Sequence, residues 1–150
     1  MKVLVLGIGN PLRSDDGIGI HVIEALREED LGEGVHIKEG LSGLDILGAI
    51  AGYERIIMVD AIKSGGEPGT IYKLSVGDLH AQQTLHTFST HDVDIPTILK
   101  LGKDLYPEKM PEDIVIIAVE AEDIETFSET CTPKVEKAIK KVIHLIEELI

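Results

Sequence analysis

The sequence is poor in cysteine, in aromatic residues and in positive charge. Its 150 residues include one cysteine and no tryptophan, and aromatic residues make up 3% of the chain. The single cysteine, Cys131, excludes an internal disulfide and a zinc site built from cysteines. Aspartate and glutamate number 27 against 14 lysines and arginines, a formal net charge of −13. Because such a surface repels the phosphates of nucleic acids and of anionic membranes, we expect neither as a partner.

Long apolar runs are also missing from the sequence. No stretch approaches the roughly 20 apolar residues that a helix needs to span a bilayer. The opening MKVLVLGIGN superficially resembles a signal peptide, but its apolar run ends at Gly7 without a small-residue cleavage pattern. We therefore expect a buried first strand and a cytoplasmic location. Hydrophobic residues still make up 43% of the chain, enough for a single domain over 1–150 with one core.

Apolar patterns of strand type and helix type alternate along the chain. Apolar runs typical of buried strands are 2–6, 55–60 and 114–119, and two further strands are predicted at 35–39 and 70–74. Segments with helical periodicity are 18–26, 44–50, 95–105 and 135–149. The polar stretch 76–92 has no clean period and is predicted to be a long loop. This alternation predicts an α/β fold, with a mostly parallel sheet covered by helices on both faces.

The carboxyl ends of the predicted strands carry acidic residues. Ligands of open parallel sheets bind beyond these ends, which selects the loop after Leu6, Glu39 and Asp60 for attention. A carboxylate that ends a buried strand is costly inside the protein but well placed at the rim of a cleft. Asp60 can equally be a turn or cap residue before Ala61, so both interpretations are kept.

The first loop has the beginning of a dinucleotide-binding fingerprint. Gly7-x-Gly9 follows a strand and precedes a helix, as the fingerprint requires. The third glycine is missing because position 12 is Leu12, and the acidic pair at 15–16 would repel phosphate at the helix N-terminus. Glu39 could imitate the acid that binds the ribose of the cofactor. A dinucleotide-binding Rossmann-like module is therefore kept as an alternative.

The acidic pair itself, Asp15 and Asp16, has two interpretations. A carboxylate at a helix start accepts backbone N–H bonds and complements the helix dipole, which would make the pair caps. A carboxylate exposed at the carboxyl edge of a sheet can also serve as a hard oxygen ligand of a metal ion. The sequence favours neither interpretation.

One histidine is distinguished by its surroundings. His91 lies in Ser89-Thr90-His91-Asp92, just before a predicted helix, and imidazole is a usual nitrogen ligand of nickel or zinc. His80 and His86 share its predicted loop and compete for the same role. The other histidines are interpreted as ordinary helix or strand residues: His21, His36 and His144.

The chemistry that these residues suggest is metal recognition rather than nucleophilic attack. Asp16, Asp60 and His91 together offer two oxygens and one nitrogen, an incomplete shell that leaves positions for ligands from a substrate. Cys131 lacks any local signature of a thiol protease, and no G-x-S-x-G elbow is present. We expect Cys131 to be a buried or incidental thiol.

The assembled motifs resemble the nickel-iron hydrogenase maturation endopeptidases. The opening VLVLGIGNPLRSDDGIGIHVIEAL is similar to the start of that family, with a strand, GxGN, an acidic pair, glycine and a helix. The segments EGLSGLDIL, IIMVDA and STHD follow in the order that the family shows. The resemblance covers essentially the whole chain.

This resemblance implies a fold, a reaction and a set of site residues. The fold is a three-layer sandwich in which helices cover both faces of a twisted five-stranded sheet. The reaction is removal of the C-terminal extension from the nickel-loaded precursor of a hydrogenase large subunit. Nickel comes with this precursor, which is the partner, and is not permanently bound. A non-catalytic nickel-sensing chaperone that only docks on the precursor is a further alternative.

The residues take their implied roles from matching positions. Asp16, where relatives often have glutamate, and Asp60 match the acidic nickel ligands and are the expected catalytic residues of an aspartic-type endopeptidase. His91 matches the histidine ligand. The expected supporting residues are Glu39, Asp15 and Asn10.

Overall fold

Strands and helices alternate along the chain as the apolar patterns predict. The computed structural model describes residues 1–40, 43–78, 87–88 and 95–150. The strands of this part are β1 Val3–Gly7, β2 Val35–Glu39, β3 Arg55–Lys63, β4 Ile71–Ser75, β5 Thr87–Phe88 and β6 Asp113–Glu120. Its helices are α1 Ile18–Leu26, α2 Asp45–Ile50, α3 Ile95–Leu105, α4 Pro133–Glu136 and α5 Ile139–Leu149, and a 3₁₀ turn covers Ser14–Gly17.

The sheet is mostly parallel and has the strand order β2-β1-β3-β6-β4. Strand β1 pairs in parallel with β2 and β3, and β3 pairs in parallel with β6. The edge strand β4 is antiparallel to β6, and the two-residue β5 pairs with β3 in antiparallel fashion. The predicted α/β class and the five predicted strands are confirmed. Strand β5 is an addition, since it lies in the stretch predicted to be a loop.

Beyond one-residue shifts at several ends, two elements differ from the sequence prediction. Strand β3 does not end at Asp60 but continues to Lys63, because Ala61 and Ile62 pair with β6 and are buried. The C-terminal helical pattern forms two helices, with a turn at 137–138 between α4 and α5. The buried positions of both helices continue one apolar periodicity, so the pattern carries no sign of the turn.

Alternating strand residues build a core on each face of the sheet. Leu4, Leu6 and Met58 pack in one cluster with α2 and α3, and we call this side the α3 face. Val5 and Val59 pack in the other cluster with α1 and α5, on the side that we call the α1 face. Each fully buried aliphatic side chain contributes about 1.5–3 kcal/mol, so both faces stabilise the sheet. The result is the predicted three-layer sandwich.

Helix length also bears on membrane insertion. In the described parts of the chain, every helix is too short or too polar to cross a bilayer.

Candidate functional site

The loop after β1 folds tightly against the turn that precedes α1. The N–H of Ile8 donates to the carbonyl of Val59 at 2.9 Å, which extends the pairing of β1 with β3. Gly9 then adopts φ +136°, and a Cβ atom there would lie 1.9 Å from the backbone oxygen of Asp16. A Cβ on Gly19 would lie 2.4 Å from the Val59 carbonyl. These glycines are therefore required by the protein's own backbone packing.

The Asp16 carboxylate is buried at this turn with one oxygen unpaired. The residue is 3% exposed, and its Oδ2 accepts the N–H of Asn10 at 2.9 Å. Its Oδ1 is buried and has no hydrogen-bond partner among the described residues. Since buried carboxylate oxygens are nearly always partnered, an unpaired one indicates a position that suits a cation or a donor from a ligand. Asn10 thus supports Asp16 through its backbone.

The neighbouring Asp15 has the opposite environment. Its carboxylate is fully buried and accepts the N–H groups of Glu122, Asp123 and Thr132, together with the Thr132 hydroxyl, at 2.7–3.1 Å. With its acceptor positions filled, Asp15 joins the turn to the segment 121–132. Its side chain does not cap α1, whose N-cap is Gly17 without a side-chain hydrogen bond. The capping interpretation of the acidic pair is therefore wrong for α1.

The backbone of this turn is strained as well as anchored. Ser14 has φ +52°, the only positive φ at a non-glycine residue in the described parts of the chain. Its N–H donates to the carbonyl of Ser128 at 2.9 Å, and Asp15 donates its own N–H to the Asp123 carbonyl at 3.0 Å. Such strain persists only where the surroundings hold it, and it concentrates at functional sites.

Asp60 lies within β3 at the point where β1 ends. Asp60 is fully buried, and its Oδ1 accepts the N–H of Ala61 at 2.8 Å. It follows Val59, whose register partner is Gly7, and the turn carrying Asp16 contacts β3. The structure therefore places Asp60 beside the carboxyl end of β1, where the turn that carries Asp16 also contacts β3. The predicted position at a strand end is wrong, because the pairing of β3 with β6 continues past Asp60.

Glu39 lies at the same edge but on the other face of the sheet. It is opposite Gly7 in the register of β1 and β2, and it shares a face of β2 with Val35 and Ile37, which pack on the α1 face. Asp60 lies between Met58 and Ile62, which pack on the α3 face. Glu39 Oε1 is 3.3 Å from the Arg27 guanidinium. Its supporting role stays a prediction, and its geometry favours pairing with Arg27.

The predicted histidine ligands lie outside the described residues. These are His91 and its competitors His80 and His86. Among the described residues, no group of three or more His, Cys, Asp or Glu side chains is placed to hold a metal ion. The ligand role of His91 therefore stays a prediction.

One histidine near this turn has an environment that the sequence did not predict. His21, interpreted as an ordinary helix residue, has a buried Nε2 with no hydrogen-bond partner in the described part of the chain. A Cβ atom on Gly17 would lie 3.3 Å from this nitrogen, and Nδ1 is 3.8 Å from Glu24. The four-residue spacing from Gly17 is the signal that could have indicated it, since such residues share a helix face.

Cys131 is close to the turn but is not suited to nucleophilic attack. Burial, followed by the negative charges of Asp15 and Glu136, raises the pKa of its thiol to about 12. The thiolate is the nucleophilic form, so Cys131 is inert near neutral pH. Its Sγ lies 4.0 Å from the Ser14 carbonyl, beside Asp15. These features agree with the expected incidental thiol.

Comparisons with known proteins agree on one family. The family model described as hydrogenase maturation protease matches residues 20–149, a range that includes Asp60 and begins after Asp16. The chain is 29% identical to the hydrogenase 2 maturation protease of Escherichia coli over 154 residues, which cover 99% of the chain and 92% of that protein.

Solved structures show the same relationship. The hydrogenase maturating endopeptidase HybD from Escherichia coli superposes with a TM-score of 0.84 at 30% identity, covering 97% of this chain and 90% of HybD. The [NiFe] hydrogenase maturation protease HybD from Thermococcus kodakarensis gives a TM-score of 0.81 at 26% identity, covering 99% of each chain.

Proposed function

This chain belongs to the hydrogenase maturation protease family and is an endopeptidase, and we propose that it removes the C-terminal extension of a nickel-loaded [NiFe] hydrogenase large-subunit precursor. The observation that carries the choice of site is the buried Oδ1 of Asp16, which has no hydrogen-bond partner among the described residues and lies at the edge where Asp60 is buried. A metal carried by the substrate would supply the missing partner.

In this proposal nickel is part of the substrate. Asp16 and Asp60 supply two hard oxygen ligands, and His91 supplies an imidazole nitrogen. Three protein ligands leave the coordination sphere of nickel unfilled, so cysteine thiolates of the precursor complete it. The same arrangement explains selectivity, since a precursor without nickel offers no ion for these side chains to bind.

The ligands also position the peptide bond that is cut. Asn10 and Ala61 hold one oxygen of each carboxylate through their backbone N–H groups, which fixes how the acids face the substrate. An ion held there can polarise the scissile carbonyl or lower the pKa of a water molecule, the two Lewis-acid roles of a metal. The chain would then not require a side-chain nucleophile, in agreement with the inert Cys131 thiol.

Two further expectations belong to this proposal. The partner is the large-subunit precursor, and a protein that acts on such a precursor is expected in the cytoplasm. Cell fractionation that finds the protein in another compartment would contradict this location.

Intact mass spectrometry tests the proposed reaction. Purified protein is incubated with nickel-loaded and nickel-free precursor in matched, chelator-treated buffers. We expect the mass of the C-terminal extension to be lost from the loaded form alone. Binding without any loss of mass would support the chaperone alternative, and binding of a dinucleotide in a separate titration would support the Rossmann-like alternative.

Variants identify the site residues in the same assay. Asp16→Asn and Asp60→Asn are expected to lower cleavage by at least about 100-fold, as removal of a key transition-state interaction does. Asp104→Asn, an exposed acid at the end of α3, is the matched control and should cleave normally. His91→Ala should weaken processing of the loaded precursor more than His80→Ala or His86→Ala. Near wild-type cleavage by Asp16→Asn, Asp60→Asn or His91→Ala would remove that residue from the site.

A further inference from the structure

Two exposed apolar side chains lie on adjoining segments beside the candidate site. Phe127 is 87% exposed and Leu12 is 51% exposed, although both are large hydrophobic residues. The segments that carry them are joined by the N–H of Ser128, which donates to the Leu12 carbonyl at 2.9 Å. Arg13 and Ser128 also form an isolated parallel β-bridge. We call Leu12 and Phe127 together the apolar lip.

The apolar lip is held by a fixed backbone. On one side of Phe127, the Asp123 carboxylate accepts the N–H groups of Glu125 and Thr126 at 2.9 and 3.0 Å. On the other side, Thr132 donates both of its hydrogen bonds to Asp15. Phe127 is therefore presented to solvent by an anchored segment rather than by a frayed one. An aromatic side chain that loses little conformational freedom on binding is typical of an interaction hot spot.

The lip is continuous with the site that the proposed function uses. Leu12 lies on the loop between Asn10, which donates to Asp16, and Ser14, which donates to Ser128. The N–H of Leu12 itself donates to the Asn10 side chain at 2.9 Å. Backbone and Asn10 hydrogen bonds thus connect the lip to the turn that carries Asp16.

Charge indicates what kind of chain the lip fits. Around Phe127 the segment 121–130 carries exposed acids at Glu122, Glu125 and Glu129 and contains no lysine or arginine. The neighbouring cations are Arg13, in the bridge, and Lys63, whose Nζ donates to the Glu122 carbonyl, so exposed acids outnumber them around the lip. Apolar contact in mostly acidic surroundings complements an apolar side chain with basic neighbours. A second copy of this chain is disfavoured as occupant, because its net charge of −13 would meet the same charge.

We propose that the apolar lip of Leu12 and Phe127 is the docking surface for the precursor polypeptide, receiving an apolar side chain that basic residues flank. The proposal rests on the proposed function and adds a recognition contact outside the metal ligands. In this proposal the lip contributes to substrate affinity and the buried acids carry out the chemistry. Substitutions in the lip should therefore change KM and leave kcat unchanged.

Steady-state kinetics on nickel-loaded precursor test this assignment. We expect Phe127→Ala to raise KM by about tenfold, the effect of losing a hot-spot contact, with kcat unchanged. Leu12→Ala should raise KM less, and Phe127→Tyr should restore most of the wild-type KM. Leu105→Ala and Tyr106→Ala are matched controls. Both residues are exposed and apolar, and they lie at the C-terminal end of α3, before β6 begins. Controls should leave KM unchanged.

Salt and oligomeric state complete the test. Added salt should raise the wild-type KM, and Glu125→Gln with Glu129→Gln should reduce that dependence, since screening weakens exposed charge pairs. An unchanged KM in Phe127→Ala overturns the docking role. A change from dimer to monomer in that variant at unchanged KM would instead assign the lip to self-association. If wild-type protein leaves the loaded precursor uncut, the proposed function itself has failed. A failed docking role looks different, because wild type then cleaves the precursor and Phe127→Ala has the same KM.

Discussion

Thr132 binds Asp15 with both of its donors: its backbone N–H lies 2.7 Å from Oδ1, and its hydroxyl lies 2.8 Å from Oδ2. The next residue, Asp16, receives the Asn10 N–H on one oxygen, and its other oxygen lacks a hydrogen-bond partner among the described residues. The two adjacent aspartates therefore have different roles. Asp15 stabilises the loop, and Asp16 is left available to a ligand.

These different environments predict unequal effects of the same substitution on stability. Asp15→Asn replaces an acceptor by a donor opposite N–H groups, so the free energy of unfolding should fall by about 1–3 kcal/mol, the cost of unsatisfied buried groups. Asp16→Asn removes a charge that is only partly compensated, and stability should fall by less than about 1 kcal/mol or rise. Urea denaturation followed by circular dichroism measures both. Equal losses in the two variants would contradict these different roles.

The environment of the Glu120 carboxyl group makes the stability of the fold depend on pH. Burial opposes its charge, but hydrogen bonds from Ser64, Tyr72 and Gly66 outweigh burial and lower the pKa of its carboxyl group. Because the folded form holds the proton less tightly than the unfolded chain, the stabilisation is complete at neutral pH. It is lost as the pH falls below the ordinary glutamate pKa of about 4.3.

A variant isolates this contribution. Glu120→Gln should be less stable than wild type at pH 7, and the difference should shrink as the pH is lowered, because wild type then loses its charged hydrogen bonds. Glu148→Gln, on the exposed side of α5, is the control and should follow the wild-type curve. Thermal unfolding between pH 3 and pH 7 measures the difference. A gap of constant size across that range would assign the effect to packing instead.

We expect the Cys131 thiol to resist alkylation in the folded protein. With a pKa near 12 it is almost entirely protonated at pH 8. Native protein should therefore react with iodoacetamide far more slowly than urea-unfolded protein, as intact mass would show. Cys131→Ser should process precursor at the wild-type rate. If Cys131→Ser folds normally but does not process precursor, the thiol becomes a candidate catalytic group.

The sequence predicted the fold well because its signals were strong and local. Runs such as 56–59 and 114–119 are continuous and apolar, and they lie within β3 and β6. The difference between Asp15 and Asp16 was not predictable, since it depends on Thr132 and Glu122, more than a hundred residues away in the chain. The opposite faces of Glu39 and Asp60 follow from strand register, which a single sequence does not specify.

The remaining prediction concerns where nickel resides before the reaction. Asp16, Asp60 and His91 form an incomplete shell with no thiolate, so we expect weak nickel binding by the protein alone and much tighter binding in the presence of the precursor. Protein purified without chelator should contain well under one nickel per chain by elemental mass spectrometry, while its mixture with loaded precursor should retain the metal through gel filtration. Asp16→Asn should abolish that co-elution, and Asp104→Asn should preserve it. A resting enzyme with stoichiometric, tightly held metal would contradict the model, because selectivity for metallated precursor requires the ion to arrive with the substrate.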